Sequence, residues 1–239
     1  MNIVYITGSS RGIGKALVDK FLEMDCYFVY GLSRSNSIVH NNFNHIKIDL
    51  SDINQVHNFY FENHNKANQI ILINNSGIIG PVSPVGRQNS SSIVDTFNIN
   101  TIAPAILTNK FIAAFENSES QKTIINTSSG AGRHTVKSWS TYCGSKAALD
   151  MISMVIADEQ KDNSNPIRIY SVAPGVVDST MQDEIRMQNK EDFPDLEKFI
   201  DYKRNNLLSS PEEVAKKYLY ILNNPEIFTE PIIDVREIK

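Results

Sequence analysis

Apolar runs and polar, glycine-bearing breaks alternate along the whole chain. Asn2-Ile3-Val4-Tyr5-Ile6 is short, apolar and β-branched, which predicts a strand. Thr7 to Gly14 breaks the run, and a helical pattern follows from Lys15 to Met24. Cys26 to Leu32 predicts a second strand and His45 to Ile48 a third, ending at Asp49-Leu50. Ser51 suits the N-cap of a helix reaching about Glu62. Ile70 to Ile73 is unbroken and apolar, as a strand buried on both faces should be, and runs into Asn74-Asn75-Ser76-Gly77. Ile93 to Phe115 reads as a helix in two parts, hinged near Ala103-Pro104. Thr123 to Thr127 and Pro166 to Ala173 predict strands five and six. Between them, Ala147 to Ala157 carries a strong helical pattern. Met181 to Asn206 is charged, amphipathic and interrupted by Pro194, which predicts a helical insert or lid. Ser210 and Pro211 suit the N-cap and first position of a last helix, and Ile232 to Val235 closes the sheet. Strands alternating with helices predict one doubly wound parallel α/β domain over residues 1–239.

The bulk properties narrow the function classes. The 239 residues are 41% hydrophobic and 21% charged, an ordinary globular balance. The net charge is −4 and there is no long basic block, which argues against a nucleic-acid partner. Two cysteines, Cys26 and Cys143, form neither a disulfide framework nor a metal-ligand spacing, and fit a reducing compartment. No apolar run approaches membrane-spanning length, and the first ten residues lack the features of a signal peptide. The expectation is a cytoplasmic protein without metal or membrane.

The chemistry concentrates in Thr127 to Ala147. Tyr142 and Lys146 are four residues apart, so one helix would place them on one face. An ammonium near a phenol favours phenolate, which would make Tyr142 a usable general acid near neutral pH. Ser129, at the end of a predicted strand, has a hydroxyl that could hold the substrate oxygen that Tyr142 protonates. A tyrosine and lysine at this spacing are by themselves an ordinary surface pair, so the N-terminus must be weighed with them. There, strand, glycine-rich turn and helix present backbone N–H groups to a phosphate. The spacing Gly8, Gly12, Gly14 differs from the dehydrogenase fingerprint GxGxxG. The second strand ends in Ser33-Arg34-Ser35, with no carboxylate for ribose hydroxyls. Arg34, with Arg11 in the phosphate loop, points to the 2′-phosphate of NADP; the alternative is a solvated loop arginine.

Taken in order, TGSSRGIG, DL at 49–50, NNSG at 74–77, Asn100, Ser129, YCGSK and PGVVDST resemble the short-chain dehydrogenase/reductase family across most of the chain. The resemblance implies a seven-stranded Rossmann sheet and hydride transfer between NAD(P) and a carbonyl or alcohol. It implies Tyr142 as acid/base, with Lys146 lowering its pKa and holding the nicotinamide ribose. Ser129 would orient the carbonyl, and Asn100 would support a proton-relay water. NADP(H) would be contacted by Gly8, Ser10, Arg11, Gly12, Ile13, Gly14, Arg34, Asp49, Leu50, Asn75, Tyr142, Lys146, Pro174, Gly175, Val177 and Ser179. Homodimers and homotetramers are common in the family, so one of these is expected. One departure is Ser76, where the family usually has alanine.

SWSTYCGSKAALDM, APGVVDSTMQDEIR, KEDF, LLSSPEEVA and IID are similar to the sepiapterin reductases, and more so to the bacterial benzil reductases that make (S)-benzoin. That implies NADPH-dependent reduction of one carbonyl of a vicinal dicarbonyl. Trp139 and Met181 would then line an apolar slot over the nicotinamide, or else pack in the core. Asp234 would anchor an amino group of a pterin, or else face solvent or pair with Arg236. Cys143 has no base placed to activate it and reads as a small buried residue. Two rivals stand beside this reading. One is a 3-oxoacyl carrier-protein reductase, against which the acidic run from Gln182 to Glu197 speaks. The other is a non-catalytic dinucleotide-binding regulator, which would have no use for the full set Asn100, Ser129, Tyr142 and Lys146.

Overall fold

A computed structural model describes residues 1–64 and 66–238. Seven strands form one parallel sheet in the order β3-β2-β1-β4-β5-β6-β7. They are β1 (Asn2–Thr7), β2 (Tyr27–Ser33), β3 (Phe43–Lys47), β4 (Gln69–Asn74), β5 (Gln121–Thr127), β6 (Ile167–Ala173) and β7 (Ile232–Asp234). The helices are α1 (Gly12–Leu22), α2 (Ile53–His57), α3 (Ser90–Phe97), α4 (Ala103–Phe115), α5 (Ser140–Gln160), α6 (Thr180–Arg186), α7 (Leu196–Arg204) and α8 (Pro211–Asn223). Among the described residues no helix is long and apolar enough to cross a membrane.

The sheet is covered on both faces, and side-chain alternation along each strand explains how. Val4 and Ile6 of β1 and Ile71 and Ile73 of β4 join the core formed with α1 and α8. Their neighbours Ile3, Tyr5, Ile70 and Leu72 join the opposite core, built with α2 and α4. A third apolar cluster lies over the sheet's C-terminal edge, where Ile185, Phe193, Leu196 and Phe199 of the insert meet Trp139 and Tyr142. Strand order reverses between β1 and β4, so the crevice at their C-terminal ends is the ligand position of an open α/β sheet.

Three elements differ from the sequence pattern. Helix α2 stops at His57 rather than near Glu62. Beyond it, Phe61 sets its ring edge-on to Tyr5 and Phe111 instead of continuing the helix. Its N-cap is Asp52, which accepts from Asn54 N; Ser51 instead donates to Asp49 Oδ1. The hinge before Pro104 is a π-helical turn over Asn98–Ile102, which carries Asn100. The insert is two helices, α6 and α7, with Pro194 in the segment between them. The last helix starts as expected, with Ser210 and Glu213 in a reciprocal capping box.

Candidate active site

Two adjoining cavities of about 310 and 290 Å³ open along the C-terminal edge of the sheet and share Ile13, Asn75, Gly77, Ser179 and Met181. The second is lined by Gly8, Ser10, Arg11, Gly12, Arg34, Asp49 and Leu50. The first is lined by Ser129, Trp139, Tyr142, Lys146, Pro174, Gly175, Val177 and Asp234. The fold therefore brings the sequence-predicted residues into one cleft, apart from Gly14 and Asn100, which stand behind its wall.

Gly14 lies where a Cβ would fall 2.1 Å from the Gly8 carbonyl oxygen and 2.6 Å from Asn75 Nδ2. It lets the helix close against the loop. The N-cap of α1 is Arg11, whose side chain makes no capping bond, so the first-turn N–H groups face the loop without a side-chain acceptor. Thr7, which sequence reasoning missed, ties this loop to β4: its Oγ1 accepts from Asn75 N at 2.9 Å and Ser76 N at 3.0 Å. At the far end, Arg34 is exposed. Burial raises the Asp49 carboxyl, but bonds from Ser51 and the Arg34 charge hold it below its ordinary value. No carboxylate directly follows β2, and Arg11 and Arg34 line this cavity beside the N-terminus of α1.

In the other cavity Tyr142 and Lys146 lie one turn apart on α5, 6% and 2% exposed. Lys146 Nζ donates to the Thr127 carbonyl at 2.8 Å, and it lies 5.9 Å from the centre of the Tyr142 ring. Only the fold could reveal Thr127, since a backbone acceptor leaves no residue-type signal. Burial pushes the Tyr142 phenol up to about 12, against a hydrogen bond from the Ser129 side that lowers it. Burial pushes Lys146 down to about 8, opposed by Asp150. The expected lowering of Tyr142 by its lysine is therefore not what the protein shows: burial raises the phenol, and the group that lowers it is Ser129. Ser129 Oγ accepts from Ala131 N at 3.2 Å, which leaves its proton to donate.

Asn100 is fully buried in the π turn. Its side chain accepts from Ile78 N at 2.9 Å and donates to Ile78 O at 2.9 Å and Ser145 Oγ at 3.1 Å. A Cβ on Gly77 would lie 3.4 Å from both Asn100 Oδ1 and Lys146 Nζ, so Asn100 stands beside the lysine and braces the wall between β4 and α5. Trp139 both lines the cavity and packs. Its ring stacks on Phe193 at 5.4 Å and meets Tyr142 edge-on at 5.6 Å. Met181 is half-buried at the junction of the two cavities. Phe199 and Tyr202 of the insert, not singled out from the sequence, complete the apolar wall. Their signal was the amphipathic pattern of the insert.

Asp234 is paired with Arg236. The guanidinium Nε donates to Oδ1 at 2.9 Å and Oδ2 at 3.1 Å, and Nη2 donates to Oδ2 at 2.5 Å. That bonding holds Asp234 below its ordinary value and raises Arg236. Cys143 lines neither cavity, and no metal-binding cluster occurs among the described residues.

The profile of the family described as "short chain dehydrogenase" matches residues 2–190. A benzil reductase ((S)-benzoin forming) of Bacillus cereus is 34% identical over 99% of this chain and 100% of its own. A sepiapterin reductase of Xenopus tropicalis is 34% identical over 65% of this chain and 59% of its own. The crystal structure of the YIR035C short chain dehydrogenases/reductase of Saccharomyces cerevisiae superposes with a TM-score of 0.85 at 24% identity. It covers 100% of this chain and 97% of that one, and shows the fold. A glycine-rich loop at the N-terminus of α1, a buried tyrosine–lysine pair with a serine against it, and a family match over most of the chain have one meaning together: the protein belongs to the short-chain dehydrogenases, oxidoreductases that work with a nicotinamide dinucleotide on small molecules.

Proposed function

We propose that the protein is an NADPH-dependent carbonyl reductase acting on one carbonyl of a vicinal dicarbonyl, with Tyr142 as general acid. The observation that carries this is the buried Tyr142–Lys146 pair with Ser129 beside an aromatic wall, joined to a glycine-rich loop flanked by Arg11 and Arg34. The bound dinucleotide supplies the hydride. Ser129 and Tyr142 hydrogen-bond the carbonyl oxygen as charge builds on it, and Tyr142 gives its proton to the developing alkoxide. A phenol at about 12 stays protonated across the working range, and an alkoxide is basic enough to take its proton. Lys146 would hold the nicotinamide ribose, and Asn100 braces the wall beside that ammonium. The aromatic wall of Trp139, Phe199 and Tyr202 suits a flat, aryl-bearing diketone. The protein works as a homodimer or homotetramer. NADPH consumption with benzil and with methylglyoxal tests the reading; turnover of neither diketone would overturn it.

The pH dependence follows from two groups. Tyr142 keeps its proton throughout, whereas Lys146 is charged below about 8 and neutral above it. We expect kcat/KM for reduction to be level below about pH 7.5 and to fall above 8, by up to about tenfold per unit. A profile level to about pH 10 would show that the Lys146 charge is not needed.

Asp234 tests the substrate side. With both oxygens bonded to Arg236, its carboxylate is engaged before any ligand ring edge reaches it. Asp234→Asn is expected to change kcat/KM for benzil by less than about threefold. A loss on sepiapterin more than about tenfold larger than on benzil would move the protein to the pterin side of its relatives.

A further inference from the structure

We propose that Arg133 and Asp150 form a positioning pair that seats Ser129 against helix α5 and keeps the Lys146 ammonium charged and in place. This rests on the proposed roles of Ser129, Tyr142 and Lys146.

Ser129 enters a tight turn, Gly130–Gly132, and Arg133 closes it. The turn lies directly on α5: a Cβ on Gly132 would fall 2.9 Å from the carbonyl carbon of Lys146. Arg133 reaches over the helix, where its Nε donates to Asp150 Oδ2 at 3.0 Å. The guanidinium is partly exposed, and the Asp150 side chain is 7% exposed. Ser171 of β6 donates to the other oxygen, Oδ1, at 2.5 Å. A carboxylate this deep in a protein needs a partner, and here it also stands one turn beyond Lys146 on the same helix. Arg133, Asp150 and Lys146 thus alternate in charge from the turn to the cleft. Burial favours loss of the Lys146 proton, and the Asp150 charge opposes it.

The other titratable groups around this string are placed differently. Tyr142 and Cys143 belong to α5 itself, His134 follows the turn against Gly130, and Tyr218 of α8 bonds Thr127 Oγ1. Asp234 is bonded to Arg236 and also feels the Arg133 charge. The counter-charge on the helix turn beyond Lys146 is Asp150. The inference concerns position and charge; no bond is made or broken at either residue.

The experiment uses the whole protein with NADPH and benzil. Asp150→Asn removes the charge, with Asp150→Ser as the smaller replacement should the amide not fold. Ser171→Ala loosens the same carboxylate without altering its charge. Removing the charge is expected to move the alkaline limb of kcat/KM down by about one pH unit, with KM for NADPH changed less than about threefold. Ser171→Ala should leave the limb in place. Arg133→Met should lower kcat about tenfold in the native background and less than about twofold in Ser129→Ala, since it acts through Ser129. An unmoved limb in the Asp150 variants, or equal Arg133→Met losses in both backgrounds, would overturn the pair as a positioning device and leave a plain salt bridge. Tyr142→Phe run alongside separates the two readings. If it still turns over, the site reading and this inference fall together. If it is inactive while the limb stays put, this inference falls alone.

Discussion

Tyr142→Phe is expected to lower turnover of a diketone by about 10²–10⁴-fold while NADPH still binds with nearly native affinity. The size follows from what the phenol does. It is buried in the first cavity beside Ser129 and Trp139, and in the proposed reaction its proton is the one delivered to the alkoxide. Phenylalanine keeps the ring contacts with Trp139 and removes only the hydroxyl, so packing of the wall should survive. The glycine-rich loop, proposed to hold the cofactor's phosphates, lies in the neighbouring cavity and is untouched. Turnover and a fluorescence titration of NADPH on the same variant check both halves. Turnover within about tenfold of wild type would remove Tyr142 from the chemistry.

Arg34→Asp should erase or invert the preference for NADPH over NADH. The side chain follows directly on β2, lines the second cavity and is exposed to an incoming ligand. A charge-assisted bond to phosphate contributes about 1.5–3 kcal/mol, or roughly tenfold to a hundredfold in affinity. Aspartate would repel the 2′-phosphate and accept from ribose hydroxyls instead. The measurement is kcat/KM for both cofactors in both proteins. Equal use of the two by the wild type would show that Arg34 is a solvated loop residue and that Arg11 alone does not discriminate.

Much of the fold was legible because it rests on local, periodic patterns. An unbroken apolar run such as Ile70 to Ile73 has one comfortable place, a strand covered on both faces, and these four residues are fully buried. Tyr142 and Lys146 share a helix face because four residues make about one turn. Ser210, Pro211 and Glu213 start α8 with groups adjacent in sequence. The misreadings share a cause. Helix α2 ends early because Tyr5, from β1, and Phe111, from α4, offer Phe61 an aromatic site that its neighbours in sequence do not reveal.

The amino-acid sequence by itself therefore determined the alternation of strands and helices, the glycine-rich turn, and which side chains are candidates for the chemistry. Each is written in residue type and spacing along a short stretch. Only the tertiary structure decided how those side chains behave. Desolvation, set by everything packed around the cleft, pushes Tyr142 up where spacing alone suggested it would go down. Lys146 meets the carbonyl of Thr127, Arg133 meets Asp150, and Arg133 Nη2 meets the Ile233 carbonyl across 100 residues of chain. The paired state of Asp234 depends on how the chain turns after β7, which brings Arg236 back onto it. Charge and burial act through space, so their balance at the site exists only once distant segments have come together.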